Sequence, residues 1–178
     1  MTYLSFAGHW LLGVVFAISA VSKLRGRAAF AEFAASTRDL LPSRWRTTSV
    51  TVSTIVVVLE AAVPVLLAVP GLRPGGLGLA MTLLVAFGAA IAAALRRGER
   101  TACRCFGASR VPLGKRHLVR NGLLAAVAVL ALVSGDVRPA DPVGLAVAGA
   151  AAGVLALLVT RFDDVIDLFA PHSMTRRT

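Results

Sequence analysis

Two cysteines, Cys103 and Cys105, are the only ones in the 178-residue chain, and a single residue, Arg104, separates them. Arg100 and Arg110 lie close by in the sequence. The thiolate is the reactive form of cysteine, and neighbouring cations favour it. A pair this close can form only a small, strained ring, and a strained disulfide is easily reduced. The spacing therefore indicates thiol-disulfide exchange, with Cys103 and Cys105 as reacting groups and Arg104 in support.

Two other interpretations of this pair stay open. A zinc site would need two further ligands and the nearest histidine, His117, offers one, so no metal site is predicted, although two thiolates alone could hold monovalent copper. In the remaining interpretation the two cysteines take part in no thiol chemistry, and the segment is simply rich in basic residues. A structural disulfide framework is excluded, because two cysteines cannot build one in a chain of this size.

Glu60 is an acidic residue within the apolar run "VVVLEAAVPVLL", where a charge is energetically unfavourable. An ionised side chain at the middle of a membrane costs roughly 3 kcal/mol on insertion scales. Pro64, four residues later, lacks the amide hydrogen that would have paired with the Glu60 carbonyl. Either Glu60 fixes packing, neutral or hydrogen-bonded to a Ser or Thr of a neighbouring helix, or it handles a ligand or proton.

Candidate partners for Glu60 stand near the same membrane surface as the cysteine pair. Lys23 lies one turn beyond Ser19 in the first apolar run, and Arg120 and Asn121 open the fourth run. Taken alone, each basic residue has an ordinary explanation, because such side chains at helix ends extend towards lipid phosphates. Their convergence favours a functional cluster, in which Lys23, Glu60, Arg120 and Asn121 support the cysteines.

The composition identifies the environment that must position these residues. Apolar residues make up 57% of the chain and the mean hydropathy is +0.77, against roughly 45–50% apolar residues in a soluble domain. A helix of about 20 apolar residues crosses the hydrocarbon of a bilayer. Five such spans are predicted, at residues 4–22, 49–69, 77–95, 118–134 and 142–160.

The net charge of +10 follows membrane topology and does not indicate nucleic acid. Of the 19 basic residues, 17 lie in residues 23–46, 96–120 and 161–178, without interleaved aromatic residues for base stacking. The positive-inside rule then predicts an external N-terminus, with the C-terminus and the cysteine segment cytoplasmic. We expect a multi-pass protein of the bacterial inner membrane, in contact with lipid and not with nucleic acid.

Two further segments have the pattern of short interfacial helices. Residues 24–42 place Phe30, Phe33 and Ala34 on one face, and Pro42 should end that helix. The acidic tail that follows residue 160 repeats the pattern. In the last span, Gly149 and Gly153 have a spacing that lets helix backbones approach closely, so they form at most a packing face. The fold class is therefore all-α: an integral membrane bundle of about five transmembrane helices with short interfacial helices.

Five features together resemble the methylamine utilisation protein MauE family, within the MauE and DoxX-like redox-associated membrane proteins. They are "SAVSKL" closing the first helix, "LLP" ending the interfacial segment, Glu60, "CRCFG" after the third helix, and "HLVRN" opening the fourth. The resemblance implies a four-helix core in a membrane domain at residues 1–135. Residues 136–178 then add one transmembrane helix and an amphipathic cytoplasmic tail.

The resemblance also implies a function. The family is associated with maturation or export of the disulfide-rich small subunit of methylamine dehydrogenase, alongside a thioredoxin-like partner. We therefore expect a protein that assists thiol-disulfide redox or maturation of a partner. Whether it is itself an enzyme is left open, and no cofactor is predicted, with a quinone as the open alternative. The second hypothesis is a non-catalytic membrane subunit or small-solute carrier, in which Glu60 lines a polar cavity.

Overall fold

The computed structural model describes residues 2–41, 43–98, 114–135 and 141–161, and all regular structure in these ranges is helical. The six α-helices are α1 (Thr2–Leu24), α2 (Arg27–Leu40), α3 (Ser49–Ala68), α4 (Arg73–Arg96), α5 (Lys115–Val133) and α6 (Pro142–Thr160). Short 3-10 helices at Ser43–Thr48 and Pro70–Leu72 precede α3 and α4. The all-α prediction is confirmed.

Five helices are long and apolar enough to cross a membrane, as predicted. They are Tyr3–Leu24, Trp45–Ala68, Pro70–Arg96, Arg116–Val133 and Pro142–Thr160 within the described residues. Helices suit this environment because they satisfy their backbone hydrogen bonds internally. The third span begins earlier than the predicted residue 77, because Pro74 stands in the first turn of α4, where its missing amide hydrogen costs nothing.

Helix α1 is the centre of the bundle. It packs against α2, α3, α5 and α6, while α4 packs against α3 and α5. The side chains of Leu12, Val15 and Phe16 are completely buried and belong to one core cluster that also draws on α3, α4, α5 and α6. Such close packing matters because lipid is as apolar as the core, so helices associate largely through van der Waals contact.

Three aromatic side chains of α1 pack on three glycines of α6. The pairs are Tyr3 with Gly144, Phe6 with Gly149, and Trp10 with Gly153. A Cβ atom at Gly144 would lie 2.6 Å from Cε1 of Tyr3, whereas one at Gly149 would make an ordinary contact of 3.5 Å with Phe6. Two of these glycines are the pair predicted to form a packing face, and their neighbour is α1 of the same chain.

Helix α2 is amphipathic and lies across one end of the bundle, against α1, α3 and α4. It buries Phe33, Ala34 and Ser36 and exposes its charged Glu32. The helix ends at Leu40, because a residue that precedes a proline avoids helical backbone angles, and Leu41 is extended, with φ −79° and ψ 145°. Its position at the membrane interface remains a prediction, and the predicted helix of the acidic tail lies outside the described residues.

The spans alternate in direction along the chain, so the C-terminal ends of α1 and α4 lie near the N-terminal ends of α3 and α5. Arg97, which follows α4, donates a hydrogen bond from Nη2 to the Leu40 carbonyl of α2 at 2.9 Å. We call this end of the bundle the basic end, because Lys23, Arg97 and Arg120 belong to it. The opposite end carries the start of α1 and the Pro70–Leu72 turn.

Candidate functional site

An ion pair between α1 and α3 is completely enclosed by protein. Nζ of Lys23 donates to both carboxylate oxygens of Glu60, at 2.8 Å to Oε1 and 2.7 Å to Oε2. Lys23 is 2% exposed and Glu60 is 0% exposed. Charges buried in this way are tolerated only where geometry and further hydrogen bonds offset the loss of solvation.

Ser19 completes the hydrogen bonding of the pair. Its hydroxyl accepts from Nζ of Lys23 at 2.8 Å and donates to Oε1 of Glu60 at 3.2 Å. Ser19 and Lys23 are four residues apart, which places both side chains on one face of α1. An ammonium group has three hydrogens to donate, and here three acceptor atoms lie within hydrogen-bond distance of it. The three side chains are thus hydrogen-bonded to one another.

Phe33 of α2 covers this group from the basic end. Nζ of Lys23 lies 4.7 Å from the centroid of the Phe33 ring, a distance at which the negative face of an aromatic ring attracts a cation. The sequence pattern placed Phe33 on the apolar face of α2 but gave no sign that this face would meet a charge. The site is therefore built from three elements, α1, α2 and α3.

The inward face of α3 carries further polar groups on the approach to Glu60. Ser49, Ser53 and Glu60 are all buried on that face. The hydroxyl of Ser53 is fully buried and has no hydrogen-bond partner among the residues that the structure describes. Sequence reasoning missed Ser53, although its spacing of seven residues from Glu60, about two helical turns, was a usable signal.

Helix α5 contributes buried polar residues at the same end. Arg120 is 6% exposed and Asn121 is 4% exposed, so Arg120, like Lys23, is packed inside the chain and does not extend towards lipid. Nδ2 of Asn121 donates to the Leu84 carbonyl of α4 at 3.2 Å. Four of the five predicted supporting residues lie within the described part of the chain, all but Arg104. Of these, Lys23 and Glu60 meet directly, whereas the hydrogen bond of Asn121 ties α5 to α4.

The cysteine segment lies outside the described residues, and so do Cys103, Arg104 and Cys105 themselves. The helices on either side of it are described: α4 ends at Arg96 and α5 begins at Lys115, both at the basic end. The segment is therefore joined to the bundle at the end where the Lys23 ammonium is buried. In the described part of the chain, no three His, Cys, Asp or Glu side chains are grouped as a metal site would require.

A family model described as "Methylamine utilisation protein MauE" matches residues 1–134. This region runs through the end of α5 and includes the ion pair and the cysteine segment, whereas α6 lies beyond it. The match confirms the resemblance inferred from the sequence. Comparisons with curated proteins and with solved structures give no match.

Proposed function

Since the chain belongs to the MauE family, we propose that this membrane protein assists thiol-disulfide exchange with a thioredoxin-like partner, and so the maturation of a client protein. Cys103 and Cys105 are the reacting thiols. The family resemblance supports a disulfide-rich subunit, such as the small subunit of methylamine dehydrogenase, as the client class. The observation that carries the proposal is the enclosed group of Ser19, Lys23 and Glu60, which lies at the end where the cysteine segment joins the bundle.

A buried ion pair is a poor way to stabilise a bundle, and this supports a functional role for it. Apolar residues of similar volume usually stabilise a protein as well as a buried ion pair does, or better. Charged residues inside membrane segments generally mark functional sites. We assign Lys23 and Glu60 the role of holding fixed charges at the basic end of the bundle, where Arg120 and Asn121 anchor the start of α5.

A single exchange step is balanced, with the Cys103–Cys105 disulfide as the oxidant and the partner dithiol as the reductant. A thiolate of the reduced partner attacks one sulfur of the Cys103–Cys105 disulfide, the bond between these sulfurs breaks, and a cysteine thiolate leaves while a mixed disulfide forms. The second partner thiolate then attacks the mixed disulfide and releases the second cysteine. Two electrons pass from the partner, which becomes oxidised, to the chain, which becomes a dithiol. Arg104 favours the departing thiolate, and ring strain favours opening.

The proposed location is the bacterial inner membrane, with the basic end in the cytoplasm. The concentration of lysine and arginine in alternate connections supports this orientation through the positive-inside rule. A thioredoxin-like partner would then meet the cysteine pair from the cytoplasmic side.

Trapping of the mixed disulfide tests this function. Two purified variants, Cys105→Ser and Cys103→Ser, are each activated at the remaining cysteine with an aromatic disulfide reagent. Each variant is then incubated with thioredoxin whose second active-site cysteine is replaced by serine. We expect a thiol-sensitive adduct from at least one single variant and none from the double variant. Absence of an adduct from both single variants, with both thiols shown to be modified by the reagent, would contradict the proposal.

A second candidate, the non-catalytic subunit or solute carrier, is separated by a genetic comparison. Client maturation in cells is measured for the Cys103→Ser/Cys105→Ser double variant and for Glu60→Gln. The exchange function predicts that the double cysteine variant loses maturation. If client maturation is complete with the double cysteine variant but is lost with Glu60→Gln, Glu60 acts without thiol chemistry and the second candidate is correct.

A further inference from the structure

A cavity of about 410 Å³ opens between α1, α3 and the start of α4, away from the ion pair. Pockets that hold small ligands typically measure roughly 300–1,000 Å³ and combine apolar walls with a few polar groups. The lining residues fall into an aromatic pair (Phe6, Trp10), two polar residues (His9, Arg73) and small or aliphatic residues that include Gly13 and Leu67.

The imidazole of His9 is held in one tautomer. Its Nδ1 lies 2.6 Å from the Ser5 carbonyl oxygen, which can only accept a hydrogen bond, so Nδ1 carries the hydrogen. The Ser5 hydroxyl is itself engaged, because it donates to the Gly135 carbonyl at 2.6 Å. On the neutral ring the other nitrogen, Nε2, is then an acceptor. His9 is 7% exposed and is one of the residues that line the cavity.

Arg73 is a hydrogen-bond donor among the residues that line the cavity. It is the first residue of α4, and its Nε atom is buried without a hydrogen-bond partner among the residues that the structure describes. A guanidinium group donates hydrogen bonds and accepts none. Arg73 and His9 both line the cavity, so its wall includes one residue that donates hydrogen bonds and one that can accept them.

Phe6 and Trp10 form the aromatic part of the cavity wall. The rings of Phe6 and Trp10 are stacked, with centroids 6.3 Å apart and planes inclined by 13°. Planar ring systems pack favourably in offset arrangements against such surfaces. Trp10 is 50% exposed and belongs to a membrane-spanning helix, so this wall extends to the lipid-facing surface.

We propose that the cavity binds a lipid-soluble quinone, in its oxidised or its reduced form. The ring would pack on Phe6 and Trp10, one oxygen would accept from Arg73, and the hydroxyl of the reduced form would donate to His9. The apolar tail would leave past Trp10 into lipid. The phosphate of a phospholipid could engage Arg73, but it has no planar ring for the aromatic wall. This inference concerns binding alone and is independent of the exchange function proposed above.

Quenching of Trp10 fluorescence tests the proposal. The full chain carrying Trp45→Phe, which leaves Trp10 as the single tryptophan, is placed in phosphatidylcholine nanodiscs and titrated with decylubiquinone. We expect saturable quenching. Arg73→Gln should weaken binding about tenfold or more, since hydrogen bonds to charged groups contribute roughly 1.5–3 kcal/mol and 1.4 kcal/mol is a factor of ten. His9→Phe should instead weaken displacement of this oxidised probe by its reduced form, decylubiquinol, whose hydroxyl can donate to the ring. Arg97→Gln, at the basic end, should bind normally.

A variant that fills the cavity separates loss of binding from loss of folding. A Cβ atom at Gly13 would meet nothing within 4 Å, so Gly13→Leu should abolish saturable quenching while helical content and elution volume stay unchanged. Quenching that rises linearly and equally in all variants would show that quinone merely dissolves in the bilayer. Saturable quenching that phosphatidylglycerol relieves at comparable concentration would show a phospholipid site. Either result would overturn the proposal.

Discussion

Nζ of Lys23 and Oε2 of Glu60 lie 2.7 Å apart, although 37 residues separate them along the chain. Each hydrogen of the ammonium has an acceptor close by, supplied by the two oxygens of Glu60 and the hydroxyl of Ser19. The two charged groups are therefore hydrogen-bonded to each other and to the Ser19 hydroxyl. Removing either charge leaves the other buried, which makes the energetic cost of a single substitution larger than the net contribution of the pair.

Glu60→Gln should destabilise the protein by about 3–5 kcal/mol, because the Lys23 charge is then buried without its counterion. The double variant Lys23→Met/Glu60→Leu should recover most of that loss, since neither charge of the pair remains. The measurement is the midpoint of unfolding in mixed micelles, followed by circular dichroism. Equal midpoints for the single and double variants would contradict the interpretation of the pair as mutually compensating charges.

The double variant also separates stability from function. If the ion pair serves exchange, Lys23→Met/Glu60→Leu should fold stably. It should nevertheless form less of the mixed disulfide with thioredoxin than protein that keeps Lys23 and Glu60. Normal trapping by the double variant would limit the role of Lys23 and Glu60 to packing.

Phe33→Leu should destabilise the fold by about 1 kcal/mol beyond the loss of apolar contact, because the ring face over the Lys23 ammonium is removed. Phe33→Tyr keeps an aromatic face and should lose less. Phe30→Leu is the matched control, since Phe30 is on the same helix and only half-buried. The comparison uses the same unfolding measurement, and an equal effect of the Phe30 and Phe33 substitutions would rule out the cation contact as a stabilising one.

Gly144→Ala should loosen the contact between α6 and α1. The new Cβ would lie 2.6–2.8 Å from atoms of the Tyr3 ring, and overpacking of this kind costs about 1–3 kcal/mol. Thermal stability should fall and be restored by adding Tyr3→Ala, which removes the obstructing ring. Gly149→Ala, whose Cβ would make an ordinary 3.5 Å contact, should change little. No rescue by Tyr3→Ala would place the cost elsewhere.

Much of this architecture could be predicted from the sequence, because long apolar runs allow few structures in a membrane. Helical spacing put Ser19 and Lys23 on one face and made Lys23 a candidate partner of Glu60. The sequence carried no comparable signal for the hydrogen-bond partner of Asn121, because an amide can donate to any nearby carbonyl. Only the packing of α5 on α4 determines that this partner is the Leu84 carbonyl. The cavity could not be predicted without the fold either, because His9 and Arg73 are 64 residues apart and neither belongs to a motif.

The orientation of the cysteine pair follows from the charge pattern and can be measured directly. Intact cells are reduced and treated with a membrane-impermeant maleimide that adds mass, before or after permeabilisation. Cys103 and Cys105 should be modified only after permeabilisation, because the basic end is expected in the cytoplasm. The control is Gly71→Cys in a chain whose native cysteines are serine. Gly71 is exposed in the turn between α3 and α4 at the opposite end, and it should be modified without permeabilisation. The reverse pattern would invert the topology, and the thioredoxin-like partner would then have to be sought on the external side.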